Sequence, residues 1–213
     1  MSETDVLQLL HKVGAVITDS HIVYTSNKHG SAYVNKDAVY PHTRLTSKLC
    51  LAIAQDALAH GPVIQAVIAP AVGGIILSQW TAYHLTDLSD REVIGVYAEK
   101  APESDEFVIK RGYDKLLQHK NVLVVEDILN TGGSVKKVVE AVRHISGNVV
   151  AVAALCNRGN VSKEDIGNPP YFFTLANVNM DAWDEAECPL CIQKVPINTE
   201  VGKGREFLAR RHP

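Results

Sequence analysis

The sequence predicts an α/β domain with a mostly parallel central sheet, flanked by helices and carrying a small N-terminal hood. Two observations predict it. First, apolar runs recur at Val63–Ala69, Val93–Ala98, Val122–Val125 and Val149–Leu155. They are continuous rather than alternating, as strands covered on both faces are. Second, two of these runs pass through Gly-rich turns, Pro70–Gly74 and Asn130–Ser134, directly into helical patterns. Strand, turn and helix in that order build parallel sheets.

The chain of 213 residues fits one domain with a full core. The expected layout is a hood over about 1–40, a core over about 41–176 and a tail over about 177–213. A net charge of −3 argues against nucleic acid as the main partner. No run reaches membrane-spanning length, and Met1-Ser-Glu-Thr-Asp5 has no apolar signal core. Four cysteines without an export signal fit a reducing cytoplasm.

Taken in order, Thr4–Val13 is predicted as a short helix, capped by Ser2 or Thr4, with Val6, Leu7, Leu9, Leu10 and Val13 as its apolar stripe. Ser20–Asp37 is polar and lacks a helical period. It reads as two short strands, Ile22–Thr25 and Ala32–Asn35, around a polar turn, which forms the hood. Thr43–His60 is a long amphipathic helix with Leu45, Leu49, Ile53 and Leu58 inward, closed by Gly61-Pro62. The strand Val63–Ala69 then feeds the turn Ala71-Val72-Gly73-Gly74 and a helix from Ile75 to about His84. Val93–Ala98 is followed by a polar loop, Glu99–Glu106, and a returning strand, Phe107–Arg111. A polar loop at the ligand edge of a sheet is a candidate lid.

Asn121–Val135 carries the chemistry. Val122–Val125 meets two adjacent acids, Glu126 and Asp127, and a strand end is expected there, because a core does not hold neighbouring carboxylates without partners. Asn130–Ser134 then opens a helix with apolar positions Val135, Val138, Val139 and Val142. Backbone N–H groups and hydroxyls at such a junction cradle a phosphate, and the two acids suit the vicinal hydroxyls of a sugar phosphate. Neither a P-loop nor a dinucleotide fingerprint is present. Val149–Leu155 ends in Cys156-Asn157-Arg158-Gly159, where an arginine at the ligand edge can bind a carboxylate. Tyr171–Leu175 is the last, edge strand. In the tail, Cys188-Pro-Leu-Cys191 is half of a tetrahedral metal site. Its completion needs a second chain or histidines, so no metal is assigned to the protein's own side chains.

Val124–Val135 closely resembles the signature of type I phosphoribosyltransferases. That resemblance implies their fold, and it implies that Glu126 and Asp127 hold the ribose hydroxyls of phosphoribosyl pyrophosphate (PRPP). By the same resemblance Ile128, Leu129, Asn130, Thr131, Gly132, Gly133 and Ser134 surround the 5-phosphate. The turn Ala71, Val72, Gly73 and Gly74 receives pyrophosphate, and Mg²⁺ bridges pyrophosphate and ribose. Asn130 stands where the family usually has a second Thr. The hood resembles that of orotate phosphoribosyltransferases, whose motif runs roughly Ser-Gly-x-x-Ser-x-x-Tyr. Here Asn27 replaces the Gly, the serine is shifted or replaced by Gly30, and Thr25 stands where several members have an orotate-contacting lysine.

Arg158, preceded by Asn157 rather than the common Asp, matches the residue that meets the orotate carboxylate, and Asn130 is expected to bind orotate with it. Lys100 matches the first lysine of the family's catalytic loop, whereas Glu103 and Asp105 fall where a second lysine and a histidine are usual. The resemblance thus makes Lys100, Asp127 and Glu126 the catalytic candidates in a cytoplasmic homodimer. The expected reaction joins orotate and PRPP into orotidine 5′-phosphate and pyrophosphate, with no nucleic-acid or membrane partner. Two alternatives stay open: a phosphoribosyltransferase for another base, and a non-catalytic PRPP-binding regulator.

Overall fold

The computed structural model describes residues 1–24, 26–60, 63–178 and 180–211. The first elements are α1 (Glu3–Lys12), four two-residue strands β1 (Val16–Ile17), β2 (Ile22–Val23), β3 (His29–Gly30) and β4 (Tyr33–Val34), then α2 (Thr43–His60). There follow β5 (Ala66–Pro70), α3 (Gly74–Ser89), β6 (Ile94–Lys100), β7 (Phe107–Val108), α4 (Tyr113–Leu117), β8 (Asn121–Leu129) and α5 (Gly133–His144). The chain ends with β9 (Asn148–Asn157), β10 (Tyr171–Asn177), α6 (Pro189–Ile192) and α7 (Gly204–Arg211). They fall into two compact units, one of Met1–Val6 with Tyr40–Val178, the other of Leu7–Val39 with Asn179–Pro213.

The first unit is built on a sheet of order β10-β9-β8-β5-β6-β7, parallel except for β7. From β5 the chain steps outward to β6, then returns to the other side of β5 as β8 and proceeds to β9 and β10. The direction of winding therefore reverses between β5 and β8, the place where open parallel sheets bind ligands. The apolar runs are buried as expected, with Val122–Val125 and Ala151–Ala154 fully covered. Val135, Val138, Val139 and Val142 of α5 pack against them, the predicted stripe.

Several boundaries differ from expectation. β8 does not stop at the acids but runs on to Leu129, with Glu126 and Asp127 buried. Pairing explains this: β5 leaves β8 after Ile68 opposite Val124, whereas β9 stays beside it up to Leu129 opposite Asn157. The acids thus sit where the sheet is open on one side only. β5 starts at Ala66, later than Val63, which is exposed, and α3 continues to Ser89. The returning strand is only Phe107–Val108, because the chain turns at Arg111, whose φ is +61°, and enters α4. The buried stripe of α2 runs through Thr46, Leu49, Cys50, Ile53, Ala54 and Ala57, while Leu58 is exposed. The Gly61-Pro62 stop lies outside the described residues.

In the second unit the hood has four short strands rather than two. β1 pairs with β4, and β2 with β3. Thr25 lies outside the described residues. Asn27 takes a left-handed φ of +62° between Tyr24 and Lys28, a conformation that glycine and asparagine adopt most readily. Gly30 cannot carry a side chain, because a Cβ would lie 2.5 Å from the Asp181 carbonyl oxygen. The tail that supplies Asp181 also forms α6 and α7, which the sequence pattern does not announce.

Candidate active site at the switch point of the sheet

The site is assembled from the ends of four neighbouring parallel strands. The last residues of β8 contribute the acids. The Tyr40 hydroxyl donates to Asp127 Oδ2 across 2.9 Å, the Ile128 N–H donates to Asp127 Oδ1 at 2.7 Å, and the Asp127 N–H donates to Glu126 Oε1 at 3.0 Å. These bonds offset the cost of burying two adjacent carboxylates. Burial, and then the charge of Asp127, raise the Tyr40 hydroxyl well above its ordinary pKa, so it stays a donor.

Immediately beyond, Asn130 and Thr131 are exposed and Gly132 adopts φ +76° at the N-cap of α5, with no side chain capping the helix. Lys136 N–H makes the first helical bond, to the Gly132 carbonyl, and Gly133 N–H donates to Thr131 Oγ1 at 3.4 Å. The first-turn N–H groups thus face the turn, where a helix has no backbone acceptor for them. A Cβ on Gly132 would lie 2.8 Å from Ile166 and 3.0 Å from Val161, so the turn is wedged against the residues that follow β9.

Those residues include Arg158. Its backbone N–H donates to the Leu129 carbonyl at 3.0 Å, and its buried Nε donates to no acceptor among the described residues. Asn157 fixes the loop. Its amide donates to the Val161 carbonyl at 2.9 Å and accepts from the Val161 N–H at 3.0 Å, a pairing that an aspartate cannot complete because it has no N–H. Gly159 passes so close to Asn130 that a Cβ would lie 1.6 Å from its carbonyl oxygen. Arg158 and the turn 130–134 therefore form one packed edge.

On the other side, β5 ends in the turn 71–73. Ala71 N–H donates to the Ala98 carbonyl of β6 at 2.8 Å, the Ala71–Val72 peptide is cis, and Val72 is exposed. Gly74 starts α3 against β5, where a Cβ would come 2.5 Å from that of Ala69. At the end of β6, Lys100 pairs with Asp105 at 2.5 Å, and Lys137 of α5 bonds the same carboxylate and donates to the Asp105 carbonyl at 2.8 Å. Loop 101–106 is thus folded back between two lysines. Hydrogen bonds from Lys100, then Lys137, hold Asp105 at about 2.

A family model described as a phosphoribosyl transferase domain matches residues 42–188. The chain belongs to the phosphoribosyltransferase family. It is 34% identical over 196 residues, 92% of its own length and 95% of the relative's, to an orotate phosphoribosyltransferase of Desulforamulus reducens. It is 32% identical to one of Caulobacter vibrioides, over 92% of this chain and 95% of that one. The fold of Mycobacterium tuberculosis H37Rv orotate phosphoribosyltransferase, solved with Fe(III) dicitrate, superposes with a TM-score of 0.63 at 20% identity, covering 82% of this chain and 97% of that one.

Within this phosphoribosyltransferase, every residue expected at the site from the sequence lies on the one strand-end edge: turn 71–74, Lys100, 126–134 and Arg158. Two participants were not foreseen. Tyr40 supports Asp127 from 87 positions away, and Lys137 of α5 holds Asp105. Lys100 and Arg111 do not share a carboxylate. Arg111 instead binds Glu99 through Nε at 2.9 Å and a terminal nitrogen at 2.6 Å, over the Tyr97 ring. Of the loop's acids, Glu103 and Asp105 are both exposed, and Asp105 is ion-paired.

Proposed function

We propose that this phosphoribosyltransferase joins orotate to PRPP, giving orotidine 5′-phosphate and pyrophosphate. The observation that carries this reading is the unbroken run from the buried acids Glu126 and Asp127 into the open N-terminus of α5, with the buried Nε of Arg158 beside it. The orotate relatives, which match along nearly the whole chain, support the choice of base.

In this reading Asp127 and Glu126 accept hydrogen bonds from the ribose hydroxyls, and the turn 130–134 binds the 5-phosphate through N–H groups and hydroxyls. The turn 71–74 binds pyrophosphate. Arg158, with Asn130 beside it, takes the orotate carboxylate. Orotate N1, as an anion, attacks the anomeric carbon. The bond to pyrophosphate breaks with its electron pair leaving on the pyrophosphate oxygen, so catalysis rests on cations and N–H donors at that group. Lys100 supplies such a cation once Asp105 releases it. Two carboxylates beside phosphate-binding N–H groups suit a hard, oxygen-preferring ion. Mg²⁺ would be held there by substrate oxygens and waters near Glu126 and Asp127, neutralising the leaving group's charge.

A homodimer is part of the proposal, supported by an apolar stripe on α3. Ile76 and Tyr83 are exposed, and Trp80 stacks on His84 at 5.9 Å. A cytoplasmic setting accords with four cysteines that form no disulfide among the described residues, and no described helix is long and apolar enough to cross a membrane.

Pyrophosphate release from PRPP and Mg²⁺ with a panel of bases tests the reading. Release with orotate alone is expected. Release with a different base would reassign the substrate, and PRPP binding without release with any base would make the chain a regulator. Mixing Lys100→Ala with Asp127→Asn subunits restores activity if the loop serves its neighbour. No recovery in verified heterodimers would place the loop in its own subunit.

A further inference from the structure

The second unit holds a group of side chains that phosphoribosyl transfer does not use. His21, His29, Cys188 and Cys191 converge so that one donor atom from each lies within 4.8 Å of the others. Cys191 Sγ is 3.3 Å from His29 Nδ1 and 3.7 Å from His21 Nε2, Cys188 Sγ is 3.6 Å from His21 Nε2, and the two ring nitrogens are 2.9 Å apart. Four donors on a tetrahedral zinc ion stand roughly 3.3–3.8 Å from one another, given zinc–sulfur bonds near 2.3 Å and zinc–nitrogen bonds near 2.0 Å. From these residues we infer a structural zinc site that clamps the C-terminal tail to the hood.

The backbone is arranged to deliver those atoms. In the β2–β3 hairpin Val23 lies opposite His29, so His21, two residues before Val23, falls on the same face and diagonal to His29. The tail pairs with the hairpin on either side of the cysteines. Trp183 and His29 exchange both N–H···O bonds at 2.8 Å, and Asn198 N–H donates to the His21 carbonyl at 2.8 Å. Between these two anchors the chain makes α6, with Cys188 as its N-cap and Cys191 within its single turn. Neither histidine could be linked to the CxxC by spacing, because 159 to 170 residues separate them. The expectation of no protein-bound metal rested on that.

The chemistry of the group favours zinc over a hydrogen-bonded cluster. His21 Nδ1 lies 2.8 Å from the Val195 carbonyl, which can only accept, so the proton sits on Nδ1 and Nε2 presents a lone pair to the cysteines. This is the outer hydrogen bond by which proteins orient a metal-bound imidazole. His21, His29 and Cys188 are buried. Two thiolates and two neutral imidazoles balance the charge of one Zn²⁺, so the occupied site is neutral and suited to burial. Binding releases the two thiol protons. The group contains no carboxylate, and its soft sulfur and imidazole donors select zinc over magnesium or calcium.

The inference depends only on the second unit and stands whichever base the enzyme accepts. It is tested on the full chain, purified under reducing conditions and analysed for metal by mass spectrometry. Roughly one zinc per chain is expected. Cobalt exchanged into the site should show intense visible bands and thiolate-to-cobalt charge transfer in the near ultraviolet. Cys191→Ser, at the least buried ligand, should weaken the charge-transfer band while the far-ultraviolet circular dichroism stays native. Zinc should also protect Cys188 and Cys191 of the wild-type protein from alkylation, a readout that needs no variant. Three results would each overturn the site: no zinc bound after equimolar supply, a Cys188–Cys191 disulfide that survives reduction, or full zinc retention by a folded Cys188→Ser, Cys191→Ser double variant.

Discussion

The Tyr40 hydroxyl and Asp127 Oδ2 meet at 2.9 Å, joining the turn before α2 to the last residues of the central strand. Tyr40→Phe leaves a buried carboxylate short of one donor and should cost about 1.5–3 kcal/mol of stability, the usual worth of a hydrogen bond to a charged group. Urea denaturation reads it. Asp127→Asn should keep the fold and lower turnover with PRPP by orders of magnitude. Wild-type rates in that variant would remove the acids from the mechanism.

Gly159→Ala tests the packed edge. Its Cβ would lie 1.6 Å from the Asn130 carbonyl oxygen, and the opposing atom is backbone. The phosphate turn must move, so PRPP affinity by calorimetry should fall at least about tenfold, which is about 1.4 kcal/mol. Unchanged affinity would mean that the turn is not the phosphate cradle.

Lys100 and Asp105 make opposite predictions. Lys100→Ala should cut kcat more than it weakens PRPP binding, because the charge matters most as the leaving group develops. Asp105→Asn frees both lysines and should raise kcat or tighten pyrophosphate inhibition. Asp105 is depressed to about 2, so its pairing is complete above the usual 3.8 and is lost only as pH falls through about 2. A rate profile from pH 5 upward should therefore be the same shape in wild type and Asp105→Asn. A wild-type step that vanishes in the variant would contradict the pairing.

Arg158→Ala should raise the KM for orotate far more than the KM for PRPP. Equal effects on both would favour a base without a carboxylate.

Burial pushes the Cys50 and Cys156 thiols to about 12 and about 11. Both should resist iodoacetamide at pH 8 in the native protein and react in urea. Because the folded values lie above the usual 9.0, the unfolded chain loses these protons first, so stability falls as pH rises from about 9 towards 12. Rapid native alkylation at either position would contradict their burial.

The parallel strands were legible because burial on both faces writes continuous apolar runs, and the phosphate turn because glycines and hydroxyls must stand there. The end of β8 was not. Two adjacent acids argue for a strand end unless partners are known, and Tyr40 lies far away in the chain. Asn157 looked like a departure from a common aspartate until its two bonds to Val161 showed why an amide serves. The pairing of Asp105 with Lys137 likewise depends on β7 bringing loop 101–106 back to α5. Sequence separation hides the partners of Asp127 and Asp105, whereas the partner of Asn157 is local and is hidden by the fold of its loop.

The hood has a further consequence for how the protein is made. His29 is bridged to Trp183 and His21 to Ile197, so the second unit is closed by two segments that come before and after residues 40–178 in the sequence. A ribosome synthesises the core sheet, from β5 through β10, before it reaches Trp183. The hood segment therefore emerges first and completes its pairing last, because contacts this distant along the chain are slow to form. A nascent chain arrested before Trp183 should show a protease-resistant core and a hood that is still cleavable.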